Sequence, residues 1–198
     1  MADTFSKVQK PARPAAGLSA AAGDDSLMPL VEMLFFAYRD FTGEADAMLE
    51  TYGLGRAHHR VMHFVNRYPG LRVADLLDVL KITKQSLGRV LRQLVEDGWI
   101  EQKPGPDDRR ERLLTLTAAG RDLAGRLGTL QVRRVAQALR EIESANPGHD
   151  PGQMRDAVQN FLFAMIAREE RDGVAAIMGG AVDAPANKNG RPNREARK

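Results

Sequence analysis

A mainly α-helical fold carrying one small β-hairpin is predicted by three features of the sequence. Apolar residues recur at helical spacing through most of the segment from Leu27 to Met178. A proline-bearing loop, PGPDDRR, separates two short runs, WIEQK and ERLLTLT, that read as strands. Gly53, Pro69-Gly70, Gly98 and the segment ANPGHDPG punctuate the helical runs. The 198 residues, 43% hydrophobic and 28% charged, suit one globular domain of ordinary size with a real core.

Residues 1–25 are rich in Ala, Pro, Gly and Ser without a period and read as a disordered tail, and residues 179–198 read as a second, basic one. The first helix starts after Ser26 as cap. Its Leu27, Leu30, Val31, Leu34, Phe35, Tyr38 and Phe41 make an unusually broad apolar face, with Gly43 and Gly53 as breaks or ends. LGRAHHRVMHFVNRY is a second helix, closed by Pro69-Gly70. VADLLDVL is a short third helix and TKQSLGRVLRQLVEDG a fourth, with Thr83 as its N-cap and Gly98 just past its end. Thr117 caps a long helix through Ile142, in which Leu123, Leu127, Leu130, Val135, Leu139 and Ile142 form a packing seam. A single last helix runs from Gln153 to Met178, and its Phe161, Phe163 and Met165 recur at spacings expected of core.

Two short helices joined by the tight turn Lys81-Ile82, with a hairpin directly after them, make a winged helix-turn-helix. Val73, Leu76, Leu77, Leu80, Ile82, Leu87, Val90, Leu91 and Leu94 supply the apolar faces that lock the pair. The opposite face of the fourth helix presents Lys84, Gln85, Ser86 and Arg89, with Arg92 and Gln93 one turn on. Such helices meet base edges near their N-terminal end, and the free N–H groups from Thr83 to Ser86 favour a phosphate. The bland alternative is a solvated polar face, since helix pairs of this kind also occur in proteins that bind no DNA.

The hairpin weighs against that alternative. In an extended strand Asp108 and Arg110 share a face, and a carboxylate two residues before an arginine can grip the guanidinium bidentately. An arginine held outstretched in this way suits a narrow, electronegative minor groove. Arg109, on the other face, and Arg112 are placed for the phosphate backbone, while Asp107 shapes the turn after Pro106. The competing reading is an exposed ion-pair loop of little energetic worth. From Arg56 to Thr117 there are twelve Lys/Arg against eight Asp/Glu, a local excess of four against +3 for the whole chain. Positive charge is concentrated around the hairpin and helix pair.

Other function classes leave weaker traces. The absence of cysteine excludes disulfides, thiolate metal sites and cysteine nucleophiles. No stretch reads as a secretory signal, and none approaches the roughly eighteen apolar residues of a membrane span, so a cytoplasmic location without a membrane partner is the default expectation. His59 and His63, at i and i+4 on the second helix, could pair on a metal or haem, but no HExxH accompanies them. Hydrogen-bonded histidines are the simpler account. Glu44, Asp46 and Glu50 form an acidic stretch without a partnering base. With no Gly-rich phosphate loop or nucleophile elbow, an enzyme is the losing reading, and no catalytic residue, metal or cofactor is assigned.

The order of elements and the run GWIEQKPGPDDRRERLLTLTAAG resemble the MarR family of bacterial transcriptional regulators. The matching positions are Gly98, then Asp108-Arg109-Arg110, then Leu116-Thr117-Ala118-Ala119-Gly120; Gln102 departs from the basic residue frequent there, with Lys103 beside it. FFAYRDF, GRAHHRVMHFVNRYPG and KITKQSLGRVLRQL resemble the PetP-type branch. The resemblance implies a dimerisation helix over 26–53, a winged DNA-binding domain over 54–117 and dimerisation helices over 118–178. It implies a homodimer on a near-palindromic double-stranded operator, acting as a repressor, with helix 83–97 in the major groove and wing 99–116 in the minor groove. It also places the second helix, with His58, His59 and His63, beside a cleft for a small-molecule effector. Independently, Leu34, Phe35, Tyr38, Phe161, Leu162, Met165 and Ile166 offer more apolar surface than one winged domain covers. The rival reading is a winged-helix adaptor that binds protein and has lost DNA readout.

Overall fold

The computed structural model describes residues 25–106 and 108–178, so the expected tails, Asp25 excepted, and the turn role of Asp107 lie outside the described residues. The chain divides between Asp40 and Phe41 into two compact units. In the first, Ser26 sits inside a 3-10 turn, Asp25–Leu27, and α1 (Met28–Glu50) begins after it. This unit leaves Leu30, Val31, Phe35, Phe36 and Tyr38 exposed. The helix runs straight through Gly43, contrary to the expected break. One helical glycine costs only about 1 kcal/mol, and burial of the neighbouring Thr42, Ala45 and Leu49 offsets that.

The second unit contains the winged helix-turn-helix. Its elements are α2 (Arg56–Arg67), β1 (Leu71–Arg72), α3 (Val73–Leu80), α4 (Lys84–Glu96), β2 (Ile100–Pro104), β3 (Arg112–Leu116), α5 (Ala118–Ala145), α6 (Pro151–Ala164) and α7 (Arg171–Ile177). Leu76, Leu80, Leu87, Val90, Leu91 and Leu94 are buried in one core with Leu49, Met62, Ile100, Leu114, Leu123 and Leu127, while Val73, Leu77 and Ile82 pack at its edge. The expected hairpin is β2 paired antiparallel with β3, from Ile100↔Leu116 to Pro104↔Arg112. The two-residue β1 completes a sheet of order β1-β3-β2 through Leu71↔Leu114. Gly70, at φ +88°, turns the chain onto that sheet and donates its N–H to the Leu114 carbonyl at 2.8 Å.

Local chemistry fixes the helix-turn-helix. Lys81 adopts a left-handed conformation at φ 50° and caps α3 by donating its N–H to the Leu77 carbonyl. Thr83 Oγ1 accepts the Ser86 N–H at 3.1 Å, and Gly98 takes φ +75° just beyond α4. Thr117 starts α5 the same way, accepting the Gly120 N–H at 3.1 Å.

Four further expectations need correction. The last helix is two: the Arg171 guanidinium donates to the carbonyls of Ala164 at 2.5 Å and Ile166 at 3.0 Å, satisfying groups that end α6. Of the aromatic and methionine residues expected in core, Phe163 is buried, but Phe161 and Met165 are about half exposed at 48% and 54%. The acidic stretch does find basic partners, because Glu44 pairs with Arg133 and Arg134, and Asp46 pairs with Arg56 at 2.5 Å. The α5 seam also divides: Leu123 and Leu127 are buried, while Val135 and Ile142 are exposed.

Candidate nucleic-acid interface

The N-terminal end of α4 presents Thr83, Lys84, Gln85, Ser86 and Arg89 to solvent, all exposed, because Leu87, Val90, Leu91 and Leu94 turn the opposite face into the core. Not every polar group there is available. Thr83 Oγ1 takes the Ser86 N–H and donates its own hydrogen to Ser86 Oγ at 2.9 Å, so the free backbone donors are fewer than the sequence suggested. Lys84, Gln85 and Arg89 have no side-chain partner among the described residues, whereas Gln93, expected on the outward face, turns inward.

The wing departs from its expected geometry. Residues 108–110 form a turn, so period-two alternation does not apply to them. Asp108 Oδ1 accepts the backbone N–H of Arg110 at 2.8 Å, not its guanidinium, and the Asp108 carbonyl accepts the Glu111 N–H at 3.0 Å. The carboxylate therefore shapes the tip as an Asx turn. The Arg109 and Arg110 guanidinium groups have no partner among the described residues. Arg112 folds back, donating from Nη1 to the Arg109 carbonyl at 2.7 Å.

A concave surface of about 770 Å³ between α3, α4 and the wing gathers Lys84, Arg92, Asp108, Arg110 and Arg112, but not Gln85, Ser86, Arg89 or Arg109. Sequence reasoning missed Arg72, which braces this surface. It bonds Asp75 through Nε at 2.8 Å and Nη2 at 2.7 Å, and reaches Glu111 of the wing at 3.1 Å. Those carboxylates raise the Arg72 pKa further above its already high value.

The three histidines of α2 do not form one site. His63 lines a cavity of about 1260 Å³ with Phe64, Arg67, Tyr68, Ile166 and Val174. His59 is buried with the core, and His58 faces α4. Burial pushes the His59 pKa down, His63 adding to the effect and Asp46 opposing it; His63, though exposed overall, is lowered by partial burial and by Arg67. The folded chain thus binds these protons less readily than the unfolded chain. The resulting stability is fully present above the ordinary histidine value of about 6.5 and is lost as pH falls through the lowered values. Unfolding midpoints should drop on acidification below about pH 6.5, and a His59→Gln/His63→Gln variant should show a flatter slope. Equal slopes would assign the loss to other groups.

The MarR family model matches residues 52–111, from the end of α1 to the wing. The HTH-type transcriptional regulator PetP of Rhodobacter capsulatus is 49% identical over 117 residues, 59% of this chain and 70% of that protein. The chain belongs to the MarR family. The PetP-type resemblance of its helices agrees with that match. An HTH-type transcriptional repressor of Mycobacterium tuberculosis is 31% identical over 98 residues, covering 50% of this chain and 70% of that protein. Solved MarR-family structures share the fold. The transcriptional repressor CouR bound to a 23-mer DNA duplex has a TM-score of 0.54 at 24% identity, over 70% of this chain and 90% of that one. A MarR variant from E. coli complexed with operator DNA has a TM-score of 0.51 at 20% identity, over 72% and 99%. Among the described residues of this MarR-family chain, no helix is long and apolar enough to cross a membrane.

Proposed function

We propose that this protein is a homodimeric, sequence-specific DNA-binding transcriptional regulator of the cytoplasm that represses by occupying a near-palindromic operator. The observation that carries the reading is the concave surface joining α4 to the wing, where Lys84, Arg92 and Arg110 face solvent without a carboxylate partner among the described residues. In this reading Lys84, Gln85, Ser86 and Arg89 enter the major groove, with Thr83 holding the helix start. Arg110 enters the minor groove from a tip shaped by Asp108, and Arg109 and Arg112 lie along the phosphates. The duplexes in the two solved complexes, a 23-mer with CouR and an operator with MarR, support it.

Dimerisation is supported by apolar surface that a lone chain leaves open. Phe35 and Phe36 are 72% and 58% exposed in the first unit, and Val132 and Leu162 are 68% and 54% exposed in the second. Patches of this kind mark association surfaces. A two-fold dimer would read half-sites about 34 Å apart, one helical turn. The domain division, with dimerisation segments over 26–53 and 118–178 flanking the winged segment 54–117, belongs to the same reading.

Selection of bound genomic fragments followed by a footprint tests the proposal, together with a salt series on the selected duplex. Neutralising several phosphates releases counterions, so affinity should fall by orders of magnitude, about 10³-fold or more, between 50 and 200 mM salt. An adaptor that binds protein through an apolar face would barely respond to salt and would select no common fragment.

The cavity beside His63 supports an addition to this reading. Its largely apolar walls, lined also by Arg67 and by Glu170, which pairs with Lys81 of the helix-turn-helix at 3.0 Å, would let a small-molecule effector bias the helix pair.

A further inference from the structure

His58 and Gln93 are half-buried and lie 35 residues apart in sequence, yet they close a directed chain of hydrogen bonds. The Gly55 N–H donates to His58 Nδ1 at 3.0 Å. His58 Nε2 lies 2.9 Å from Gln93 Oε1, and Gln93 Nε2 donates to the Gly53 carbonyl at 3.2 Å. The polarity of each link follows from the others. A backbone N–H can only donate, so Nδ1 must be a bare acceptor, and the imidazole hydrogen must sit on Nε2. Nε2 then donates to the Gln93 carbonyl oxygen, and the Gln93 amide is left to donate to Gly53. A single tautomer therefore ties α4 to the connection that joins α1 to α2.

We propose that His58 is a positioning residue. Held as the neutral, Nε2-protonated tautomer, it fixes the rotation of α4 through Gln93 and so sets how Lys84, Gln85 and Arg89 are presented. This rests on the reading of α4 as the DNA-contacting helix. The tie lies one turn beyond Arg89 and more than two beyond Lys84 and Gln85, where the Gln93 side chain leans toward α2. A small rotation there moves every side chain at the other end, as it would in any rigid helix.

Two substitutions separate the two ring nitrogens. In His58→Asn the amide oxygen sits where Nδ1 was and keeps the Gly55 bond, but it stops short of Gln93. In His58→Gln the longer side chain reaches Gln93 with an amide N–H and gives up the bond to Gly55. His58→Asn and Gln93→Leu should each weaken operator binding about tenfold, the scale of one lost hydrogen bond in a partly buried site, and lower the unfolding midpoint by no more than His58→Gln does. His58→Gln should lower the midpoint while keeping more of the affinity. Nitrogen NMR of the wild type should show Nδ1 bare and Nε2 protonated. Amide exchange in the second half of α4 should quicken in His58→Asn and Gln93→Leu.

An Nδ1-protonated ring, or wild-type affinity in both of those variants, would overturn the proposal. If the wild type itself retains no duplex, the DNA reading of α4 falls instead. The tie is then judged by exchange alone, and unchanged exchange in both variants overturns it.

Discussion

Replacing Gly120 with alanine is expected to destabilise the protein by about 3 kcal/mol or more, the upper range for forcing volume into a packed site. A Cβ built on Gly120 would lie 2.1 Å from the Trp99 carbonyl oxygen and 3.1 Å from its carbon. Both obstacles are backbone, so no rotamer change relieves them. The approach is close because the start of α5 is stitched to the entry of β2. The Thr117 N–H donates to the Trp99 carbonyl at 3.1 Å, and Thr117 Oγ1 donates to the Gly98 carbonyl at 2.8 Å. Arg121 adds a bond to the Leu116 carbonyl at 2.7 Å. Relieving the clash would pull α5 off the root of the wing, so DNA affinity should fall with stability. Gly125, farther along α5, has open space around the same position, and its alanine variant should be stabilised by up to about 1 kcal/mol through helix propensity. Urea unfolding of the two variants side by side checks the contrast. Similar midpoints would mean that the helix start is not in close contact with Trp99.

Gly120 was legible in the sequence as a motif residue, though its reason was not. What could be read along the chain was punctuation and periodicity. Thr83 and Gly98 bracket α4 because a hydroxyl cap and a positive φ are strictly local demands. The apolar positions of α3 and α4 were readable for a similar reason, since one face of each must be buried. Long-range features were not readable. Strand β1 has two residues, too few for alternation to show, and exists because Gly70 and Leu71 find Leu114. The break after α6 carries no glycine or proline. It is stabilised by Arg171, five and seven residues beyond the carbonyls it binds.

The site was legible to the same depth. The exposed end of α4 followed from its amphipathic pattern, but the inward turn of Gln93 depends on a partner on another helix. His58 did carry a signal: it stands at the third helical position after Gly55, where a capping-box side chain reaches back to the preceding N–H. The Asp108 grip on the Arg110 guanidinium is not formed, because the chain turns where period-two alternation needs extended backbone.

That geometry changes what mutations in the wing should do. Arg110→Ala should weaken operator binding by about 1–3 kcal/mol at fixed salt, as expected for loss of an arginine contact in a groove. The loss should be largest on operators whose flanks are A·T-rich, where the minor groove is narrow and most electronegative. Arg109→Ala, if it removes a phosphate contact, should weaken all duplexes alike and lower the salt slope by about 1. Asp108 then decides between two accounts of the wing. A carboxylate gripping the Arg110 guanidinium would be crippled by Asp108→Asn, because the ion pair would be lost. A side chain closing an Asx turn would not be, because asparagine keeps the oxygen that accepts the Arg110 N–H. Asp108→Asn should therefore bind operator at least as well as wild type, with one fewer negative charge near the phosphates. Asp108→Ala should loosen the tip and lose affinity through it. If Asn and Ala weaken binding equally, the charge of Asp108 matters and the turn does not.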